Sequence, residues 1–322
     1  MRPTALAGTI AALGSAAAAS FFYGTYRRDM KAKTSELAAG SRIALTDAGP
    51  IEYGREGSGS PVLVSHGAGG GYDQGLFLGR ELFGPGFDVI APSRFGYLST
   101  PVPNFASPAD QADAHAALLD ALGIPEAIVV GVSAGAPSAI EMALRHPARV
   151  SALILAVPRA YAPDAELSDA PLRRERIFKA VRTGGDFAFW CAIRMARSSM
   201  LQFLGVPPAV DARASPEDRA RVTQIMRSIL PVSRRVSGIA NDGEAKIGPW
   251  PLERIKAPAL VISAADDGYG TLPCARYTAG QIPDADLMEL ETGGHLMVGR
   301  GSEVRARIVG FLERIDRIRA AA

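Results

Sequence analysis

The chain has 322 residues, 48% hydrophobic, 21% charged and 7% aromatic, with a formal net charge of +2. This is a globular composition, which excludes disorder as the main state, and the length suits a hydrophobic core that needs no disulfide or metal staples. Five basic against two acidic residues give the first 36 positions a net +3, and the remainder is close to neutral, so there is no basic stripe for a phosphate backbone and nucleic acid is excluded as an expected partner.

From Ala5 to Tyr26 the chain runs 22 residues without a charge, with Arg2 before it and Arg27 and Arg28 after it. That length matches a hydrocarbon core of roughly 30 Å crossed as a helix, so residues 5–26 are read as an N-terminal membrane anchor. The heavier basic flank lies after the run and would place the following domain in the cytoplasm. Two other readings compete: a cleaved signal peptide with small residues at Ser15 to Ala19, which implies secretion, and a tail of a cytoplasmic protein.

A division at 1–40 and 41–322 follows, because strand-like runs begin at Arg42. Arg42 to Leu45, Ile51 to Tyr53 and Val62 to Val64 read as an opening hairpin and a buried strand. Strand and helix signals then alternate: Phe87 to Ala91, a helix from about Pro108 to Leu122 capped by Ser107, Ala127 to Val130, a helix from about Ala136 to Arg145, and Ser151 to Ala156. Ala259 to Ser263 and Leu287 to Leu290 add two strands, and Ser302 to Arg317 an amphipathic closing helix. This order predicts an α/β domain with a mostly parallel sheet and helices on both faces.

Between about 159 and 256 no strand pattern occurs, whereas Val222, Ile225, Met226, Ile229 and Leu230 share one helical face. The segment reads as a helical insertion. Its apolar cluster, from Phe187 to Leu204, is expected to pack internally, and the basic run Arg173, Arg174, Arg176, Lys179 and Arg182 to form a solvated helix face.

The strongest chemical signal is Gly131-Val132-Ser133-Ala134-Gly135, which follows the strand at Ala127 and precedes a helix. In such a turn the serine is held exposed, and glycines two positions to either side let strand and helix approach. Serine needs a base to become a nucleophile. Of four histidines, His66 lies in a glycine-rich turn, His115 inside a helix and His146 at a helix end, which leaves His295 in Gly293-Gly294-His295 after a strand. Asp266 and Asp267 follow the strand at Ala259; with Asp267 the chain order is Ser, Asp, His at gaps of 134 and 28 residues. The loop His66-Gly67-Ala68-Gly69-Gly70-Gly71 supplies backbone N–H groups for an oxyanion, with the amide next to Ser133 as second donor. Each of these segments comes just after a predicted strand, and in a parallel sheet those ends share one edge.

On these motifs the chain, from about Arg42 to the C-terminus, resembles the α/β-hydrolase fold superfamily. The resemblance implies an α/β-hydrolase sheet with a helical cap inserted at about 159–256, and a triad of Ser133, Asp267 and His295, with Asp267 preferred over Asp266. It implies Ala68 and Ala134 as the oxyanion donors, and neither metal nor organic cofactor. The expected activity is cleavage of a carboxylic ester or related small acyl substrate, partly hydrophobic, through an acyl-enzyme. Carbon–carbon bond hydrolysis of ring-cleavage products and non-catalytic ligand binding are the alternatives. One departure stands out: many relatives carry Asp-Arg-Gly-x-Gly after the fourth strand, where this chain reads Ser93-Arg94-Phe95-Gly96-Tyr97. With the aspartate absent, the sequence does not name a partner for Arg94.

Overall fold

The computed structural model describes residues 3–104, 106–163, 165 and 185–321. The chain divides into two compact units, Met1–Gly40 and Ser41–Ala322. The first is a single helix, α1 (Pro3–Gly40). Among the described residues, no helix is long and apolar enough to cross a membrane. The uncharged run at residues 5–26 lies within this helix.

The second unit is built on an eight-stranded sheet: β1 (Arg42–Thr46), β2 (Gly49–Gly57), β3 (Ser60–Ser65), β4 (Phe87–Pro92), β5 (Ala127–Val132), β6 (Val150–Ala156), β7 (Ala259–Ala264) and β8 (Ala285–Leu290). Its spatial order is β1-β2-β4-β3-β5-β6-β7-β8. The first two pairings are antiparallel, and every pairing from β3 onward is parallel. The central strands are buried on both faces, which is why they read as continuous apolar runs.

Helices cover both faces. On one, Leu63, Ile90, Val129, Leu153 and Val261 join a core with α3 (Pro108–Ala121), α4 (Ala136–Arg145) and α10 (Leu272–Gln281). On the other, α2 (Tyr72–Phe83) lies directly on β4, and α11 (Gly301–Ala321) packs against α2. Ser107 caps α3 as expected: its side chain accepts from Asp110 N, and its own N–H donates to the Asp110 carboxylate at 3.0 Å.

The inserted segment holds α5 (Gly185–Met195), α6 (Arg197–Phe203), α7 (Pro208–Arg213), α8 (Pro216–Ser228) and α9 (Val236–Glu244), with no strand among its described residues. Val222, Ile225, Met226, Ile229 and Leu230 are all buried, as their spacing predicts. Phe189, Trp190, Met200 and Leu201 are buried too, but Met195 at the end of α5 is 73% exposed and does not belong to that packing. The basic run from Arg173 to Lys179 and Arg182 lies outside the described residues.

Candidate active site

Ser65 of β3 pairs with Gly131 of β5, and the strand order reverses direction around β3, which opens a crevice at the carboxyl ends of these two strands. Ser133 sits at that edge in a single-turn helix between β5 and α4, with φ +51°. A left-handed backbone at a residue with a Cβ costs on the order of 1–2 kcal/mol, so the surroundings must hold it. They do so by close approach: a Cβ on Gly131 would stand 2.7 Å from both Ala136 Cα and Ala139 Cβ, and one on Gly135 would overlap the Ser65 and His66 carbonyls. The Arg159 N–H donates to the Ser133 carbonyl at 3.1 Å and fixes the turn from β6's end.

His295 lies on the loop after β8, where Gly293 and Gly294 both take positive φ. Its Nε2 is 2.8 Å from Ser133 Oγ, and its Nδ1 is 2.9 Å from Asp267 Oδ2. The Asp267 carboxylate also accepts from Tyr269 N at 2.9 Å and from the Thr271 hydroxyl. Burial raises the affinity of Asp267 for a proton, but the His295 charge and these hydrogen bonds outweigh it and hold the carboxyl below its usual range. Asp266 faces elsewhere: it accepts from Thr292 Oγ1 at 2.6 Å and from the N–H groups of Gly294 at 2.7 Å and Gly293 at 3.3 Å, and so shapes the histidine loop.

The other three histidines are occupied or enclosed. His66 is fully buried, with Nδ1 donating to Gly67 O at 2.8 Å and Nε2 accepting from Arg94 N at 3.1 Å. Burial and the Arg94 charge push its imidazole well below the usual range, so it is neutral. His115 is buried with no hydrogen-bond partner among the described residues, and His146 lies 2.7 Å from Asp113. The loop that His66 opens runs beside the serine: a Cβ on Gly67 would lie 3.5 Å from Ser133 Cβ. Ala68, next in that loop, is exposed, and Ala134 follows the serine.

Two site contacts come from the insertion and carry no local signal in the sequence. The carbonyl of Gly205, just after α6, accepts from both Gly268 N and His295 N at 3.0 Å, joining the acid loop to the histidine loop. Arg221 on α8 donates to Leu296 O at 2.9 Å and pairs with Glu81. Among the described residues, no three His, Cys, Asp or Glu side chains are grouped to hold a metal ion.

Comparison with known proteins agrees with this architecture. The chain is similar to the uncharacterized hydrolase YcgS of Bacillus subtilis, 29% identical over 286 residues, 83% of this chain and 96% of that one. It is 37% identical to a 2-hydroxymuconate semialdehyde hydrolase of Pseudomonas putida over 126 residues, which is 37% of this chain and 41% of that protein. An alpha/beta hydrolase fold protein from Nakamurella multipartita superimposes with a TM-score of 0.66 at 29% identity, covering 84% of this chain and 98% of the other. The alpha/beta hydrolase fold model matches residues 60–300, from β3 through the histidine loop, and the chain belongs to that family.

Proposed function

We propose that this hydrolase is a serine hydrolase that cleaves a carboxylic ester or related acyl compound through an acyl-enzyme. The observation that carries the reading is the continuous line from Ser133 Oγ through the His295 ring to Asp267, at 2.8 and 2.9 Å. Asp267 accepts the Nδ1 proton and so keeps Nε2 as the basic nitrogen, facing the hydroxyl. Nε2 takes the Ser133 proton as Oγ bonds to the acyl carbon. The carbonyl oxygen gains negative charge and is held by the Ala68 and Ala134 N–H groups. Collapse expels the alkoxide, which receives the proton from His295. Water, deprotonated by the same nitrogen, then releases the acid and restores Ser133.

Labelling with a fluorophosphonate probe tests the roles. The full chain labels, and the Ser133→Ala and His295→Ala variants do not. Unchanged labelling of the Ser133→Ala protein removes the nucleophile from this scheme, and absence of labelling in the wild type favours ligand binding without catalysis. A second reading, hydrolysis of a carbon–carbon bond in a ring-cleavage product, is supported by the likeness to the Pseudomonas putida semialdehyde hydrolase. Parallel assays with p-nitrophenyl esters and a vinylogous diketone acid separate the two.

A further inference from the structure

We propose that the cap positions the oxyanion loop: Asp242 of α9, acting through Arg94 and Tyr97, fixes His66 and with it the orientation of the Ala68 N–H. The inference rests on the acyl-transfer reading above and adds residues that the triad does not include.

The Gly67 carbonyl and the Ala68 N–H belong to one planar trans peptide and point in opposite directions, so whatever holds that oxygen also aims that N–H. Gly67 O is held by two donors, His66 Nδ1 at 2.8 Å and Gly70 N at 3.1 Å. The His66 ring can do this only if it is fixed in turn. Its Nε2 accepts from Arg94 N, and the Tyr97 ring packs edge-on against it with centroids 4.7 Å apart.

Arg94 and Tyr97 are both buried, and both end on the same cap carboxylate. Arg94 donates Nη1 to Asp242 Oδ1 at 2.5 Å and Nη2 to Oδ2 at 2.8 Å, while its Nε donates to His66 O at 2.9 Å. The Tyr97 hydroxyl donates to Asp242 Oδ2 at 2.5 Å and accepts from Gly69 N at 3.3 Å. The peptides on both sides of Ala68 are thereby tied to Asp242, which lies 148 positions further along the chain than Arg94. Burial and the Asp242 charge raise the Tyr97 phenol well above its usual range, so it stays a donor.

The seat of α9 on this loop is a close backbone approach. Gly238 N donates to Gly96 O at 2.9 Å, Gly96 has φ +78°, and a Cβ on Gly96 would overlap the Gly238 backbone while one on Gly238 would overlap the Tyr97 ring. Just ahead of α9, the fully buried Arg235 donates to Gly70 O and pairs with Asp73 at 3.1 Å, closing the far end of the loop. Asp242 thus supplies the carboxylate that the stretch Ser93-Arg94-Phe95-Gly96-Tyr97 lacks.

The test compares Tyr97→Phe and Asp242→Asn in the full chain, by p-nitrophenyl butyrate turnover per fluorophosphonate-titrated site and by the second-order rate of that labelling. Losing one oxyanion donor outright costs about 10²–10³-fold. A loosened donor is expected to lower kcat per site about tenfold in Tyr97→Phe and about a hundredfold in Asp242→Asn, with KM within about threefold. The labelling rate falls in parallel. A structural role alone would reduce the number of titrated sites and leave turnover per site intact. Asp242→Asn leaves a buried guanidinium without its counter-charge; if that protein does not fold, Tyr97→Phe, which removes one oxygen, decides the matter. Unchanged turnover per site in folded Tyr97→Phe, or a rise in KM alone, overturns the inference. Persistence of activity in Ser133→Ala would instead overturn the acyl-enzyme reading, so the two failures are distinct.

Discussion

Replacing Gly205 by alanine is expected to disable the proposed triad from outside it. Gly205 has φ +70°, where a residue with a Cβ costs on the order of 1–2 kcal/mol. The added carbon would stand 2.9 Å from His295 Cβ, 3.1 Å from the Tyr269 ring and 3.2 Å from Asp267 Oδ1. Ordinary carbon contacts are about 3.5–4.0 Å, so relief requires a displacement of roughly 0.6–1 Å. The Gly205 carbonyl also accepts from Gly268 and His295, so backbone movement at 205 pulls on both loops at once. A misplacement of about 1 Å costs on the order of a hundredfold in rate, and that is the expected fall in kcat per titrated site. Gly123→Ala is the comparison: φ is +66°, but nothing lies within 4 Å of the new carbon. Its backbone strain is similar and its activity should match the wild type. Melting curves and turnover per site, measured on both variants, separate strain from displacement. A folded Gly205→Ala protein with kcat within about threefold of the wild type would refute the reasoning.

The two neighbouring aspartates should part company. Asp267→Asn replaces the charged acceptor of the His295 Nδ1 proton by an amide whose NH2 favours the wrong tautomer, and kcat is expected to fall by about 10⁴-fold. Asp266→Asn weakens three hydrogen bonds within the histidine loop, lowering the melting temperature more than the rate; loss of activity in that variant alone would reverse the assignment. Acid stability offers a separate check. Burial, with the Arg94 charge second, lowers His115 from 6.5 to about 3, so the folded chain stays neutral there while the unfolded chain takes up a proton. The unfolded state binds more protons as pH falls below 6.5, and stability is lost in that direction, by on the order of 2 kcal/mol at pH 5 from this group. His66, lowered in the same sense, adds to the loss. Because His115 makes no hydrogen bond among the described residues, His115→Leu should fold well at pH 7 and shallow the fall in urea midpoint between pH 7 and pH 5. An unchanged slope would show that His115 titrates normally.

What could be read from the sequence was whatever depends on near neighbours along the chain. Ser133, Asp267 and His295 each stand within five residues of a strand end, so strand recognition alone places them at one sheet edge. The strands themselves were legible because burial on both faces leaves little room for polar residues. Helix α2 was not legible, since Gly75 and Gly79 weaken any helical signal. The fold explains them: a Cβ on Gly75 would sit 2.7 Å from Ala91 Cβ, and one on Gly79 would strike Val89, so the glycines permit α2 to lie against β4. Gly205 and Asp242 are the deeper omission. Neither belongs to a motif, and their partners are remote in sequence, although Gly205 joins the loops of Asp267 and His295, and Asp242 holds Arg94. In a sheet whose loops carry the chemistry, the insertion has to supply the contacts that hold those loops in register. The glycines and buried charges of this cap are therefore where sequence change should alter rate without touching the triad.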